Sequence, residues 1–278
     1  MNNHKPHFLI LISSIFMMSF SISSAQYKAY HISDEKLLNI SIDGNLNEWK
    51  DELQNYSIPN TMLYSSMKSD SNNFKTLFFV GWNEIVNKIY IIAEVYDDSI
   101  IVDSANVPYS NDCIELIINP TSNPIPIPYR FLGGGDAIFK NIPTHVGMKL
   151  VFSNNSDRDK LDIIVGPNWL KKKENCDIAI SIKKYGDKFK ICYELSMSLW
   201  DYWYYDNENF SSRHLLNKGE KIGLTIKVED LDELICYENK FFKRLKYNEY
   251  KTTNKNNWWY RAEDSSDFEL VGSLPNIN

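Results

Sequence analysis

Apolar and polar residues alternate with a period of two along most of this chain. Lys88 to Tyr96 sets Ile89, Ile91, Ala93 and Val95 against Tyr90, Ile92, Glu94 and Tyr96. That spacing predicts a strand, because successive side chains of an extended chain point to opposite faces. Asp112 to Ile118 separates Ile114, Leu116 and Ile118 from Cys113, Glu115 and Ile117. Lys188 to Met197 separates Phe189, Ile191, Tyr193, Leu195 and Met197 from Lys190, Cys192, Glu194 and Ser196. Asp177 to Lys183 and Glu220 to Glu229 follow the same rule, and Thr76 to Trp82, Gly147 to Phe152 and Phe268 to Val271 are further candidates. Tyr185-Gly186-Asp187-Lys188 is the predicted hairpin turn between two strands. No long helical period occurs; Asn47 to Gln54 and Ser198 to Tyr204 each predict a short helical turn. Asn119 to Pro128, with four prolines, predicts a surface loop, and Asp232 to Asn257 a long insertion. The expected fold is all-β: an antiparallel β-sandwich of two sheets, immunoglobulin-like or jelly-roll-like.

The first residues change the picture of where this sandwich works. Lys5 precedes an apolar run from Phe8 to Phe20, and Ser23-Ser24-Ala25 follows. That is the layout of a secretory signal peptide, too short in its apolar part for a membrane span of ~20 residues. The expectation is a signal peptide over residues 1–25 and one domain over 26–278, secreted or periplasmic. A net charge of -6 argues against nucleic acid as a partner, since phosphate binding needs a basic patch. Lys171-Lys172-Lys173 is the one strong basic run and reads as a solvated loop. Cys113, Cys176, Cys192 and Cys236 allow three disulfide pairings, match no zinc spacing, and fit equally as buried thiols. With 17 Tyr and 7 Trp, the chain has the flat rings that stack on sugar faces, but a β-rich core uses the same residues. No Gly-x-Ser-x-Gly, His-Glu-x-x-His or phosphate-loop motif is present, so no enzyme is expected.

Several side chains carry alternative readings. Asp43-Gly44 reads as a turn and Trp49 as core. Glu115, between apolar neighbours in its strand, is either an acceptor for ligand hydroxyls or the partner of a basic neighbour such as Lys140. Glu194 is expected to face solvent or pair across strands. Trp258-Trp259-Tyr260, if extended, sends one ring to the core and leaves another free to stack. Tyr109 follows Pro108 in a polar loop.

In order along the chain, these motifs resemble carbohydrate-binding module family 9-like domains, which are related in fold to DOMON sandwiches. Ile42-Asp43-Gly44-Asn45-Leu46-Asn47-Glu48-Trp49 is similar to the family's opening string, with Trp one place early. Tyr109-Ser110-Asn111-Asp112-Cys113-Ile114-Glu115-Leu116 matches its aromatic-x-x-Asp-x-hydrophobic-Glu string. Asp136 to Lys140, Glu194 with Trp200, Thr225 to Asp230 and Trp258-Trp259 follow in family order. The resemblance implies a non-catalytic module that binds a glycan, at a chain end, between two rings. Tyr109 would replace the first clamp Trp, Trp258 or Trp259 would be the second, and Glu115 would accept from sugar hydroxyls. Lys140 would stand in for an Arg, without its planar fork.

The resemblance also admits a structural calcium, with Asp97, Asp98, Asp103 and Asp230 as the acids at hand. No Asp-x-Asp-x-Asp-Gly loop supports it. Two other functions share the fold features: a secreted surface or adhesion sandwich mediating protein contacts, and a haem-binding electron-transfer domain of DOMON type. The latter would need axial ligands such as Met148 and His145.

Overall fold

The computed structural model describes residues 27–59, 62–64, 74–100, 112–120, 148–154, 161–165, 167–202, 204, 207–235, 244–253 and 266–274. Thirteen strands run through them: β1 (Tyr27–His31), β2 (Lys75–Asn83), β3 (Lys88–Asp97), β4 (Cys113–Asn119), β5 (Met148–Asn154), β6 (Leu161–Val165), β7 (Cys176–Tyr185), β8 (Lys188–Met197), β9 (Trp200–Tyr202), β10 (Ser212–Arg213), β11 (Lys221–Ile235), β12 (Arg244–Lys251) and β13 (Ser266–Ser273). Eleven form one sheet in the order β6-β5-β4-β11-β13-β1-β2-β3-β8-β7, with β12 on β11, and β9 and β10 form a small second sheet.

The large sheet curls into a sandwich because its central strands each carry a largely apolar side. Ile114, Leu116 and Ile118 of β4 and Leu224, Ile226 and Val228 of β11 share a core with Ile89, Ile91 and Val95 of β3 and Tyr193, Leu195 and Met197 of β8. Burying both inner faces against each other is the main stabilising term, at roughly 25 cal/mol per Å² of apolar surface. The strand β1 enters between β13 and β2 and is parallel to both. The sheet is therefore mixed rather than purely antiparallel. Nothing in a five-residue alternation signals strand direction.

Two further expectations are corrected. Residues 198–204 do not make a helical turn: Trp200 is buried, Asp201 is exposed, and β9 pairs with β10. Residues 232–257 are not simply an insertion. β11 continues to Ile235, and Arg244–Lys251 returns along it as β12. The Tyr185–Lys188 hairpin forms as expected, with Gly186 at a φ of 67°. Cys113, Cys176 and Cys192 are buried free thiols, and Cys236 lies outside the described residues.

A second layer covers the outward face of β1, β2, β3 and β8. It comprises α1 (Asp34–Leu37), a 3-10 turn at Leu46–Trp49, and α2 (Lys50–Tyr56). Leu46, Trp49 and Leu53 pack on Phe79, Tyr90, Ile92 and Cys192. A carboxylate ties this layer down. The backbone N–H groups of Asp43 and Gly44 donate to Oε2 of Glu194 at 3.0 and 2.9 Å, and Nε1 of Trp49 donates to Oε1 at 2.6 Å. Oγ of Ser181 donates to the carbonyl of Gly44 at 2.6 Å. Glu194 is thus wholly buried, not solvent-facing. Burial pushes its carboxyl up to about 6, while the three N–H donors work to lower it. Gly44 sits at a φ of 81°, and an added Cβ would stand 2.8 Å from the backbone of Ile180.

Gly44→Ala and Glu194→Gln should each lower folding stability by about 2 kcal/mol or more, because one strains a left-handed backbone and the other turns an amide N–H toward N–H donors. Denaturant unfolding checks this, and a Glu194→Gln protein of wild-type stability would contradict it.

Candidate functional site

Outward side chains of β4, β11 and β12 meet in a buried charged cluster. Glu115 lies directly across from Lys227, and Lys227 across from Lys251, so the ladder sets these groups in one row. Nζ of Lys227 is 3.3 Å from Glu115 Oε2 and 3.3 Å from Glu249 Oε2, and it also contacts Glu229 Oε1. Nζ of Lys251 is 3.2 Å from Glu249 Oε1. Cys113 Sγ donates to Glu229 Oε2 at 3.4 Å. Glu115 has no exposed surface and Lys227 only 1%.

The electrostatics follow from this packing. Burial works against the charge of Lys227, but Glu115, Glu229 and Glu249 outweigh it and hold the ammonium above the ordinary lysine range. Burial pushes Glu249 up, and Lys227 and Lys251 overcome that to hold it below the usual carboxylate range. The Cys113 thiol is raised by burial and by Glu229, so it stays protonated and unreactive. Among the described residues, three carboxylates face two ammoniums.

Of the residues expected to bind ligand, Glu115 is in this cluster. Its salt-bridge reading finds its partner in Lys227. Tyr109, Lys140, Trp258 and Trp259 lie outside the described residues, as do Asp103 and His145. Their places in the chain are nonetheless bounded: Tyr109 shortly precedes β4, Lys140 falls between β4 and β5, and Trp258 and Trp259 fall between β12 and β13. The stems of that last connection are pinned beside β11, where Ser266 Oγ donates to the Thr252 carbonyl and Thr252 N–H to the Ile226 carbonyl. Lys227, Glu229, Glu249 and Lys251 escape sequence reasoning because charges alternating with Ile226 and Val228 look like an ordinary solvated face.

A second group of acids lies at the edge of the core. Asp97, Asp112 and Asp230 are buried, with carboxylate oxygens within 4.8 Å of one another. Asp98, by contrast, is exposed. Burial first, then Asp230 and Asp112, push the Asp97 carboxyl up to about 9, against a hydrogen bond from the Ser99 N–H. An all-oxygen set of this kind suits a hard cation such as calcium in donor type.

The fold has known counterparts. A module of carbohydrate-binding family 9 from Caldicellulosiruptor kristjanssonii, solved in complex with cellotriose, superposes with a TM-score of 0.52 at 15% identity, over 91% of this chain and 98% of that one. The same organism's family 9 module in complex with glucose gives a TM-score of 0.51 at 16% identity, again over 91% and 98%. This chain therefore has the fold of family 9 carbohydrate-binding modules. No protein-family model matches the sequence, and no curated protein does. Among the described residues no helix is long and apolar enough to cross a membrane.

Two expected outcomes follow from the charged groups. Lys227→Met leaves Glu115, Glu229 and Glu249 buried without their shared cation and should cost about 3–5 kcal/mol at neutral pH. Its stability should recover as pH falls and the carboxylates take up protons, whereas in the wild type the contribution of Glu249 is lost as pH falls. Thermal unfolding at pH 4.5 and 7.5 distinguishes the two.

Asp97 behaves in the opposite sense to Glu249. Its folded-state value is raised above the unfolded one, so with divalent cations chelated stability should fall as pH rises from about 4 to about 9, by up to ~1.4 kcal/mol per pH unit. Asp97→Asn, which mimics the protonated acid, should be more stable than wild type at pH 8, with the gap closing toward pH 4.

Proposed function

We propose that this chain is an exported, non-catalytic carbohydrate-binding module that holds a glycan, at a chain end, over the outward face of β4, β11 and β12. The observation that carries this reading is the likeness of fold, across 91% of the chain, to two modules solved with cellotriose and with glucose. The buried Glu115 agrees with it, since a carboxylate held in a water-poor setting binds a hydroxyl more strongly than one in solvent. In this reading Tyr109 and Trp258 or Trp259 clamp the sugar ring. Lys140 and Glu115 grip its hydroxyls, with the Lys227 ammonium 3.3 Å from Glu115. A glycan must displace whatever covers Glu115 to reach it. Calcium, bound at Asp97, Asp112 and Asp230, would stiffen the sandwich rather than touch the sugar.

The test is a glycan-array screen of residues 26–278 with calcium present, including glucose and cello-oligosaccharides. It is run beside a folded Trp258→Ala/Trp259→Ala variant and a folded Glu115→Gln variant. Binding lost in the double variant and weakened about tenfold or more in Glu115→Gln is the expected result. Silence of the wild-type protein across the array would leave a likeness of fold alone and favour the adhesion reading.

A further inference from the structure

On the other outward face, the second layer does not close fully onto the sheet. Between them lies a cleft of about 470 Å³, within the ordinary range for small-ligand sites. Its roof is the segment from Gly44 to Gln54, and its floor is formed by outward side chains of β2, β3, β7 and β8. Leu77 and the buried Cys192 make the apolar part of that floor.

The polar lining is biased in charge. Lys50, Lys183 and Lys190 face one carboxylate, Glu94, three positive groups to one negative, in a chain whose net charge is -6. Glu94 is already engaged: Lys190 pairs with it, and the Tyr96 hydroxyl donates to it at 2.8 Å. Lys50 and Lys183 are exposed and make no ion pair among the described residues. The side-chain amides of Asn45, Asn47 and Gln54, also in the lining, make no hydrogen bond among those residues. The cleft thus offers two uncommitted ammoniums and three uncommitted amides.

An aromatic edge adjoins it. The Tyr96 ring lies 5.8 Å from Nζ of Lys190 and meets Tyr185 edge-on, with ring centroids 5.4 Å apart. Tyr185 is 63% exposed, although it stands in a β-hairpin where a smaller residue would serve. The roof is held in place before any ligand arrives, since Asp43, Gly44 and Trp49 are fixed to Glu194 and Gly44 to Ser181. A preformed site loses less free energy to ordering when it binds.

From the cleft alone, and independently of the glycan reading for the opposite face, we infer that this is a second ligand site, selective for an acidic saccharide. Lys50 and Lys183 take the carboxylate, the three amides take ring hydroxyls, and Tyr185 offers a face for the C–H side of a sugar. A simple inorganic anion would use the lysines but neither the amides nor the ring.

Trigalacturonic acid is the probe, with cellotriose as its neutral counterpart and inorganic phosphate as the bare anion, each titrated calorimetrically into residues 26–278. The expected result is that trigalacturonic acid binds at least tenfold more tightly than cellotriose in this cleft and weakens as salt rises from 50 to 500 mM. Lys50→Ala/Lys183→Ala should reduce that affinity at least tenfold with an unchanged melting temperature, and Tyr185→Ala should reduce it severalfold. Trp258→Ala/Trp259→Ala should leave it unchanged. No binding of trigalacturonic acid by the folded protein would overturn the inference. So would binding abolished by the tryptophan variant but not the lysine variant, which would place the acid on the opposite face. Phosphate competing with equal affinity would reduce the cleft to an anion site and overturn its saccharide selectivity.

Discussion

The contact between Glu194 and the turn at Asp43–Trp49 governs how the rest of this molecule is arranged. A buried carboxylate forfeits several kcal/mol of hydration that its partners must offset, and among the described residues no cation pairs with Glu194. Two backbone N–H groups and an indole N–H do so instead. Because these donors belong to a single short turn, the turn has only one seating on the sheet. That seating places Leu46, Trp49 and Leu53 over Phe79, Tyr90 and Ile92 and turns an exposed apolar sheet face into a second core. It also explains the glycine: the chain passes Ile180 too closely, and with too positive a φ, for any side chain at position 44.

The molecule buries acid groups in three ways, and each has a different dependence on pH. Glu194 is met by neutral donors and is raised modestly, to about 6. Glu115, Glu229 and Glu249 are met by Lys227, which stays charged because three carboxylates surround it. Asp97, Asp112 and Asp230 lie together in the interior, and burial first, then Asp230 and Asp112, make Asp97 hold its proton far above the usual range. The first two arrangements stabilise a particular packing of strands. The third brings like charges together at the core edge, and its all-oxygen donors are of the type a hard cation takes, unlike the lysine-paired row on the outward face.

Most of the sheet was legible from alternation, since a strand with one buried face must show a period of two. Lys188–Met197 matches the predicted strand at both ends, and β3, β4 and β7 differ by a residue or two. The alternation cannot say which outward faces are later covered. Lys190, Cys192, Glu194 and Ser196 share one side of β8 and look solvated, yet Glu194 is buried because residues 43–53, more than a hundred positions away, fold over it. Lys227 was hidden likewise, on an outward side of β11 that is buried in the fold. β12 was missed because its sequence of charges and tyrosines shows no simple apolar stripe, while its pairing along β11 is a matter of backbone register. The motif order pointed to the family fold, and Glu115 to its charged face. Lys227, the residue that defines the chemistry around Glu115, is visible only once β4 and β11 are paired.

On the two proposals, the two outward faces suit different ligands. Among the described residues the row containing Glu115 carries three carboxylates against two ammoniums, the balance that the glycan reading uses to favour neutral hydroxyls that donate. The cleft beneath Gly44–Gln54 has the opposite bias, with Lys50 and Lys183 unneutralised, and so attracts acidic groups. Placing both charges on one face would let each cancel the other's selectivity, as Lys190 and Glu94 already do for each other. A curled sheet with a packed core between its two outward faces keeps them apart. On the two proposals together, one sandwich presents a neutral-sugar surface and an acid-binding cleft on faces that the packed core keeps apart.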